Sequence, residues 1–523
     1  MSRSHTADPT VKPFDWFHRP VGDIKRPSPH FALERRAPGF LRCQHATARA
    51  SAPQPCLQHK GDPIAMMNLV VIVADTFRWD HVSGVCPTPR MQTPFLERFS
   101  EKCVIFDQFY SGSFPTLPHR TDCFTGKFLC MEKGWAPLDR NVPTLAGMLT
   151  EKGYRTQLIT NCPHLMSNDH YYQRGFQFYH WVRGQEADPV FSVGNAVQPA
   201  QPLPDKKTRH SFPQPGWNLG SFTKWQHGRW QWEEDYQPAQ TARDASKWLE
   251  WNHADGPFFL WVDFFDPHEP WDAPDYLVKR YADPKYKGVP MIHPNYGPAD
   301  VYTPAELHNM QAHYKAECAL VDKWVGHVIQ KIEDLGLMEN TMVVFTTDHG
   351  IYVGEHNRTG KSNIYKPDPR HWPIYEELAH IPFMVWHPQA KGGGRHVKGF
   401  AQPVDLTATL LAAAKAKAPK EFHGLSLLPA MTGAAKRAPR NYAVCCEKTD
   451  NPVLITDRFL YHPFGEGPKG GPCKPALYDR LADPMCEKNI VAKKRDEAAR
   501  LQKIVRGFFQ ENGASETVVS KYV

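Results

Sequence analysis

The sequence lacks several features that mark particular classes of protein. None of its twelve cysteines forms a C-x-x-C pair, and the adjacent Cys445 and Cys446 cannot easily bridge to each other. No long run of Lys or Arg occurs, although the formal net charge is +7. The charge pattern therefore excludes a nucleic-acid surface and supports at most a mild preference for small anions. The cysteine pattern favours reduced, buried thiols.

Long apolar runs are also absent. No stretch approaches the roughly 20 apolar residues of a membrane span, and the first 65 residues contain no apolar core of a signal peptide. We therefore expect a cytoplasmic protein with no membrane partner. The sequence leaves open whether the chain forms a homo-oligomer.

The composition is that of a large folded chain with an irregular beginning. The 523 residues are 41% hydrophobic and 12% aromatic, enough to bury a sizeable core. Residues 1–66 are rich in Pro, Arg, His and Ser and show neither a helical nor an alternating apolar period. We expect this leader to be disordered and the natural start to be Met66 or Met67.

After the leader, strand and helix patterns alternate. The run "NLVVIVAD" is typical of a strand buried on both faces, and "PFFLWVDFFDPH" and "TMVVFTTDHG" are similar. Thr303 and Glu306 form a capping box at the start of the longest predicted helix. This alternation predicts an α/β domain over residues 67–436, with a mostly parallel sheet whose polar residues gather at one edge.

Two regions depart from this alternation. Residues 183–240 are rich in Pro, Gly, Gln and Trp without a clear period, which fits either a substrate lid or a packed surface excursion. Residues 437–523 contain short strands separated by turns and then an amphipathic helix. This second region predicts a small α+β subdomain.

Carboxylates and a histidine follow two of the predicted strands. Asp75 ends the first strand, and Asp348 and His349 end a late one. Such oxygen and nitrogen donors without a thiolate suit a divalent cation. An Asp at a strand end also commonly caps the next turn, so each residue alone is weak evidence.

Thr116 lies between these elements on a loop flanked by prolines. A hydroxyl becomes a useful nucleophile at neutral pH when a metal binds and deprotonates it, so Thr116 is also a candidate metal ligand. Arg120 is placed to pair with that hydroxyl or with an oxyanion, and Lys361 to hold another oxygen.

From about residue 67 to 510 the chain resembles the sulfatase family of the alkaline phosphatase superfamily. "TLPHRTDCFTG" follows the register of the family's C-x-P-S-R signature, with Thr116 where the family places its formylglycine precursor. The resemblance implies an alkaline phosphatase-like α/β sandwich, with a central mostly parallel sheet, flanking helices and a small C-terminal subdomain. It also implies that His268 contacts the substrate's oxyanion or leaving group.

The departures from the family pattern bear on the chemistry. Threonine cannot be oxidised to formylglycine, and Thr76 replaces the second Asp of the usual pair. His349 replaces an Asn or Gln, which favours Mn, Zn or Fe over Ca or Mg. We expect one metal ion rather than two. The segment that contains His356 and Lys361 resembles phosphonate monoester hydrolases, which makes His356 a candidate substrate-binding residue.

A lysine that the family carries in a "GKWH" segment is missing. The corresponding stretch is "TNCPHL", where Asn161 or His164 takes over contact with the anion.

The expected function is metal-dependent hydrolysis of a small anionic ester. Thr116 attacks the phosphorus of a phosphodiester or phosphonate monoester while Arg120, His268 and Lys361 balance the charge. A sulfate ester has similar shape and charge, so a sulfatase that works without formylglycine is the alternative. A second alternative is a binding protein that keeps the fold without turnover.

Overall fold

The computed structural model describes residues 66–167, 169–186, 188, 190, 203–204, 206–209, 219–362, 372–390, 392–447, 451–465, 467 and 473–522. The predicted leader lies outside these residues except for Met66, so its disorder and the natural start remain predictions. None of the helices in the described ranges has the length and hydropathy needed to cross a bilayer.

The described residues form strands and helices in the following chain order. The strands are β1 (Asn68–Ala74), β2 (Val104–Phe109), β3 (Arg155–Thr160), β4 (Phe178–Trp181), β5 (Phe258–Phe264), β6 (Gly297–Pro298), β7 (Thr341–Thr347), β8 (Tyr352–Val353), β9 (Arg358–Gly360), β10 (Phe383–Trp386), β11 (Arg395–Ala401), β12 (Ala443–Cys446), β13 (Pro452–Ile455), β14 (Phe459–His462) and β15 (Ala476–Asp479). The helices are α1 (Pro94–Ser100), α2 (Thr116–Thr125), α3 (Leu145–Glu151), α4 (Pro163–Met166), α5 (Leu219–His227), α6 (Gln237–Asn252), α7 (Asp275–Val278), α8 (Pro304–Asp334), α9 (Glu376–Ala379), α10 (Pro403–Ala413), α11 (Leu428–Met431), α12 (Arg495–Glu511) and α13 (Glu516–Val519).

Eight strands form the central sheet in the order β11-β2-β10-β7-β1-β5-β3-β4. Strand β1 pairs in parallel with both β5 and β7, and Ala74 at its end lies opposite Phe264 and Thr347. Among the strands of this sheet, β10 runs antiparallel to its neighbours. The carboxyl ends of β1, β5 and β7 therefore lie side by side at one edge.

Both faces of the sheet are covered, which explains the continuous apolar runs. Val70 and Ile72 of β1 pack on the side of α1, α6 and α8, whereas Leu69 and Val71 pack on the side of α2, α3 and α10. The longest helix, α8, begins with the predicted capping box, in which the Thr303 hydroxyl accepts the Glu306 N–H. The α/β class and the flanked, mostly parallel sheet are confirmed.

Two segments differ from the sequence-based expectation. Thr116 lies at the start of helix α2 rather than on a loop. Pro118 is compatible with that helix because it occupies the first turn, where backbone N–H groups have no intrahelical partner. The region 183–240 contains helix α5 and the start of α6, although its sequence shows no clear period. The rest of that region falls partly outside the described residues, so the lid remains a prediction.

The C-terminal region forms a second, antiparallel sheet in the order β12-β13-β14-β15, packed against α12. This sheet contacts the loop before α2, because Cys446 donates its N–H to the Gly112 carbonyl at 2.9 Å and accepts from the Phe114 N–H at 3.0 Å. The α+β character agrees with the expectation, while the domain boundary at residue 437 stays a prediction.

Candidate active site

Three of the four predicted metal ligands, Asp75, Asp348 and His349, meet at the carboxyl edge of the central sheet. Asp75 directly follows β1, and Asp348 and His349 directly follow β7, its parallel neighbour. All three side chains are fully buried, and one ligand atom from each lies within 4.8 Å of the others. The structure thus brings together residues that are more than 270 positions apart in the chain.

His349 directs an unprotonated ring nitrogen at this group. Its Nδ1 lies 2.8 Å from the Gly350 carbonyl, which can only accept, so the proton sits on Nδ1 and the lone pair on Nε2. Nε2 lies 3.4 Å from Asp348 Oδ2 and 3.9 Å from Asp75 Oδ1. Burial lowers the pKa of His349 to about 3, which keeps the ring neutral. A ring N–H bonded to a backbone carbonyl is the usual support of a metal-ligating histidine.

The donor set fits a divalent cation. Burial, and then the charge of Asp348, raise the pKa of Asp75 well above its ordinary value. Arg120 Nη1 lies 3.0 Å from Asp75 Oδ2, yet this buried oxygen makes no hydrogen bond within the described structure. Two carboxylates and an imidazole suit a divalent metal, whose charge would offset two anions that are costly to bury.

Thr76 positions both carboxylates. Its backbone N–H donates to Asp348 Oδ1 at 2.9 Å, and its hydroxyl donates to Asp75 Oδ1 at 2.6 Å. To do so it adopts φ = +64°, a region that β-branched residues rarely occupy. The residue that departs from the family's paired Asp therefore fixes the geometry of the remaining carboxylates.

Thr116 lies against the ligand group. It is the first residue of α2, its side chain is fully buried, and its Oγ1 is 3.4 Å from His349 Nε2. The partial positive charge at the helix N-terminus favours a developing negative charge on the hydroxyl oxygen. The arrangement is suited to an activated hydroxyl.

Arg120, one turn further along α2, is surrounded by carboxylates. Its guanidinium donates to Asp263 at 2.9 and 3.2 Å, contacts Asp348 closely and lies 3.0 Å from Asp75. The side chain is fully buried. Arg120 thus holds the carboxylate edge together, and its predicted contact with an oxyanion remains a prediction.

Asp263 is a site residue that was not among those predicted from the sequence. This residue lies in β5, where its carboxylate also accepts from the Trp261 indole N–H at 2.9 Å. A single carboxylate within an otherwise apolar strand was the available signal, because a fully buried charge requires a partner.

Lys361 follows strand β9 and points its ammonium group at the same edge. Its Nζ lies 3.9 Å from Asp75 Oδ1, and the side chain is only 7% exposed. Among the described residues this nitrogen has no hydrogen-bond partner. It is therefore a cation available to an anionic group of a substrate.

His268 and His164 share an aromatic wall. The His268 ring stacks on the Phe265 ring, with the ring centroids 4.1 Å apart. The centroids of Phe265 and His164 are 5.4 Å apart, and those of His164 and Trp135 are 5.0 Å apart. Burial, and then the charge of Lys361, lower the pKa of both histidines, that of His164 to about 3. Both predicted residues therefore lie near the cation that faces Asp75.

Asn161 and His356 are engaged by other protein groups. The Asn161 amide donates to Asp266 at 2.7 Å and accepts from the Phe265 N–H at 2.6 Å. His356 Nε2 lies 3.2 Å from a Glu377 carboxylate oxygen. Their substrate-binding roles remain predictions, and these contacts give both residues structural roles.

A second charged group beside His268 was not anticipated. Glu186, Arg209 and Glu269 form ion pairs next to the histidine. Glu269 could have been noticed as the neighbour of His268 in sequence. Glu186 and Arg209 lie in the aperiodic region 183–240, where no sequence signal marks them.

Comparison with known proteins supports the sulfatase resemblance. The family described as Sulfatase matches residues 67–416. Arylsulfatase K of Bos taurus is 24% identical over 504 residues, which cover 86% of this chain and 83% of that protein. The solved phosphonate monoester hydrolase of Agrobacterium radiobacter has a TM-score of 0.63 and 20% identity, covering 87% of this chain and 96% of its own. A structure in complex with its substrate D-glucosamine-2-N,6-O-disulfate has a TM-score of 0.60 and 18% identity, covering 86% and 99%.

These relatives correct one expectation. The cytoplasmic location inferred from the cysteines and the missing signal-peptide core is wrong, because the Arylsulfatase K relatives are not cytoplasmic enzymes. The ten described cysteines form no disulfide with one another, and nine of them are buried. Buried thiols are shielded from oxidants, so a reduced cysteine carries no information about the compartment.

Proposed function

Because this chain belongs to the sulfatase family of ester hydrolases, we propose that it cleaves a sulfate ester with Thr116 as the nucleophile. The observation that carries this proposal is the position of the Thr116 hydroxyl, 3.4 Å from His349 within a buried group of metal-ligand type. The match to the sulfatase family and the Arylsulfatase K relatives favour sulfur over phosphorus as the site of attack.

Asp75, Asp348 and His349 would hold a divalent metal, in keeping with a family that generally binds one. When bound, such an ion supplies Lewis-acid stabilisation of anionic oxygens. The protein's own contributions are the N-terminus of α2, which favours the Thr116 alkoxide, and Lys361, whose buried ammonium group lies 3.9 Å from Asp75 and binds an oxygen of the ester.

The covalent steps follow from this placement. The Thr116 hydroxyl loses its proton as Oγ1 forms a bond to sulfur and the bond from sulfur to the leaving oxygen breaks. The leaving oxygen takes up one proton and departs as an alcohol, so the number of protons is unchanged. Water then attacks the same sulfur, which releases sulfate and restores the threonine hydroxyl. No aldehyde is required, since the bond to Thr116 is broken at sulfur.

A second candidate substrate is a phosphonate monoester or phosphodiester. His349 favours it, because an imidazole in place of an amide ligand makes the site softer than an all-oxygen cage for calcium. The transferred group again carries one negative charge, so Lys361 would serve the same role. The likeness to the Agrobacterium phosphonate monoester hydrolase supports the fold alone.

The test compares wild type with Thr116→Ala and Thr116→Ser. Each protein is stripped of metal, reloaded separately with Mn, Zn, Ca or Mg, and assayed on matched 4-nitrophenyl esters of sulfate, phenylphosphonate, a phosphodiester and phosphate. We expect sulfate hydrolysis by wild type, a loss of at least about a hundredfold in Thr116→Ala, and partial retention in Thr116→Ser, which keeps the hydroxyl.

Metal content and unfolding temperature serve as controls. Thr116→Ala should bind as much metal as wild type through Asp75, Asp348 and His349, so that a loss of activity reflects the nucleophile. Sulfate hydrolysis that survives in Thr116→Ala would reject Thr116 as the nucleophile. Dominant phosphonate or diester hydrolysis would instead favour the second candidate.

The remaining partner expectations are also proposals. A small anionic ester fits the cations at the site, and the absence of nucleic-acid and membrane partners stays a prediction, as does the formation of a homo-oligomer. We propose one metal ion, with Mn, Zn or Fe favoured by His349.

A further inference from the structure

A compact group of charged side chains adjoins His268. Arg209 Nη2 lies 2.6 Å from Glu186 Oε2 and 2.9 Å from Glu269 Oε1. Tyr296 donates its hydroxyl proton to the same Glu269 oxygen. We call Glu186, Arg209 and Glu269 the acidic triplet. Its members come from the segments after β4, before α5 and after β5, so separate parts of the chain converge on one wall of the site.

The acidic triplet is poorly suited to a metal ion. His268 Nδ1 lies 2.9 Å from the Glu269 backbone carbonyl and therefore carries a proton on the side that faces Glu186 and Glu269. Arg209 already occupies the position between the two carboxylates. A cation here would have to displace both the proton and the guanidinium.

Two buried polar atoms in this part of the site form ion pairs but make no hydrogen bond within the described structure. Within the described structure, Glu269 Oε2 and Lys361 Nζ are buried and have no hydrogen-bond partner. Burying such groups without partners costs free energy, so each is a candidate for contact with a ligand. The charge of Lys361 acts to lower the pKa of Glu186, Glu269 and His268, so its ammonium group lies within electrostatic range of the triplet. One acceptor and one donor are thus present in the same part of the site.

The charge balance restricts what can bind there. The positive charge of Lys361 is needed to bind the anionic ester group. In the triplet, the two carboxyl groups of Glu186 and Glu269 then face only one positive charge, the guanidinium of Arg209. No spare positive charge remains for a second sulfate, a phosphate or a carboxylate on the substrate, and a carboxylate oxygen repels such groups. A neutral hydroxyl, by contrast, donates its proton to Glu269 Oε2 and can accept from Lys361 or Arg209.

We propose that the acidic triplet is a specificity subsite that binds a hydroxyl group on the leaving alcohol, next to the ester. It selects a neutral, hydroxylated alcohol over an aryl alcohol or one that carries a further anionic group. The inference deepens the proposed function and rests on it, because it assigns the organic part of the substrate of the same site. It holds for a sulfate or a phosphonate ester alike.

The kinetic test uses the full chain and two esters that differ by one hydroxyl. One is a monosaccharide monosulfate, and the other is its deoxy analogue without the hydroxyl on the neighbouring carbon. We expect wild type to prefer the hydroxylated ester in kcat/KM by about tenfold or more, the size of a charge-assisted hydrogen bond. Glu269→Gln should reduce that preference to near unity. Glu333→Gln, which alters an exposed carboxylate paired with Lys102, should preserve it.

A binding test separates this inference from the proposed function. The same two esters are titrated into Thr116→Ala and into Thr116→Ala/Glu269→Gln, and affinity is measured by calorimetry, so turnover is not needed. Tighter binding of the hydroxylated ester in the first protein and equal binding in the second would support the subsite, even if wild type hydrolysed neither ester. Equal binding of both esters to Thr116→Ala, or an equal loss for both in the double variant, would overturn it.

Discussion

At the scale of single residues, Gly360 controls where Lys361 lies. Gly360 has φ = +93°, and a Cβ atom there would lie 2.2 Å from the Tyr296 ring. That ring is buried, and its hydroxyl is bonded to Glu269, so it has little freedom to move. The residue before Lys361 must therefore be glycine for both conformational and steric reasons.

Gly360→Ala should be destabilised and should lose activity. The positive φ costs about 1–2 kcal/mol for a residue with a Cβ atom, and the clash with Tyr296 adds about 1–3 kcal/mol. Gly433→Ala is the matched control, since Gly433 has φ = +84° but no atom within 4 Å of its would-be Cβ. The free energy of unfolding from urea titration and kcat/KM should both fall further in Gly360→Ala. Equal losses in the two variants would show that the contact with Tyr296 is unimportant.

At the scale of elements, helix α2 is fixed to the chain around it by a buried acid. Asp122 of α2 accepts the Ser113 N–H at 2.7 Å and the Leu129 N–H at 2.8 Å. Burial raises the pKa of Asp122 to about 7. The helix that carries Thr116 is therefore held in place by a group that titrates near neutral pH.

Asp122→Asn should remove a pH dependence of stability. The folded carboxyl group binds its proton more tightly than the unfolded one, whose pKa is about 3.9. Its contribution is complete below about pH 4 and is lost as the pH rises through about 7. The free energy of unfolding of wild type should thus fall over this range relative to that of the variant.

Subtracting the two pH profiles removes the contributions of other buried acids. A constant difference between wild type and Asp122→Asn from pH 4 to 7 would contradict the raised pKa. The variant should be less stable than wild type at low pH, because its NH₂ group faces one of the two backbone donors.

Elements with a continuous apolar pattern were predictable from the sequence, whereas α2 was not. Strands β1, β5 and β7 are buried on both faces, so each is a continuous apolar run in the sequence. Asp75 and Asp348 directly follow the runs of β1 and β7. Helix α2 follows Pro115 and contains Pro118, and prolines so close together are typical of turns. The sequence therefore favours a loop, although the first turn of a helix tolerates a proline. Glu186 and Arg209 belong to the site because Arg209 contacts both Glu186 and Glu269, and Glu269 is 60 residues from Arg209 along the chain. No local sequence pattern predicts such contacts.

At the scale of the whole molecule, the proposed metal would link β1 to β7 at the centre of the sheet. Removing it with a chelator should lower the midpoint of thermal unfolding by a few degrees, because a ligand bound only to the folded state stabilises it. Asp348→Asn should show a smaller shift, since one carboxylate ligand is gone. An equal shift in both proteins would place the stabilising metal elsewhere. Differential scanning calorimetry with and without chelator measures this.

The contact between β12 and the loop before α2 has a consequence for biosynthesis. Gly112 and Phe114 find backbone partners in Cys446, which the ribosome adds more than 300 residues later. The ligand-bearing strands and Lys361 are complete before that residue exists. A nascent chain can thus assemble its central sheet early. The loop that leads to Thr116 acquires its final backbone partners only near the end of translation. We therefore expect enzymatic activity to appear only once the C-terminal sheet has folded.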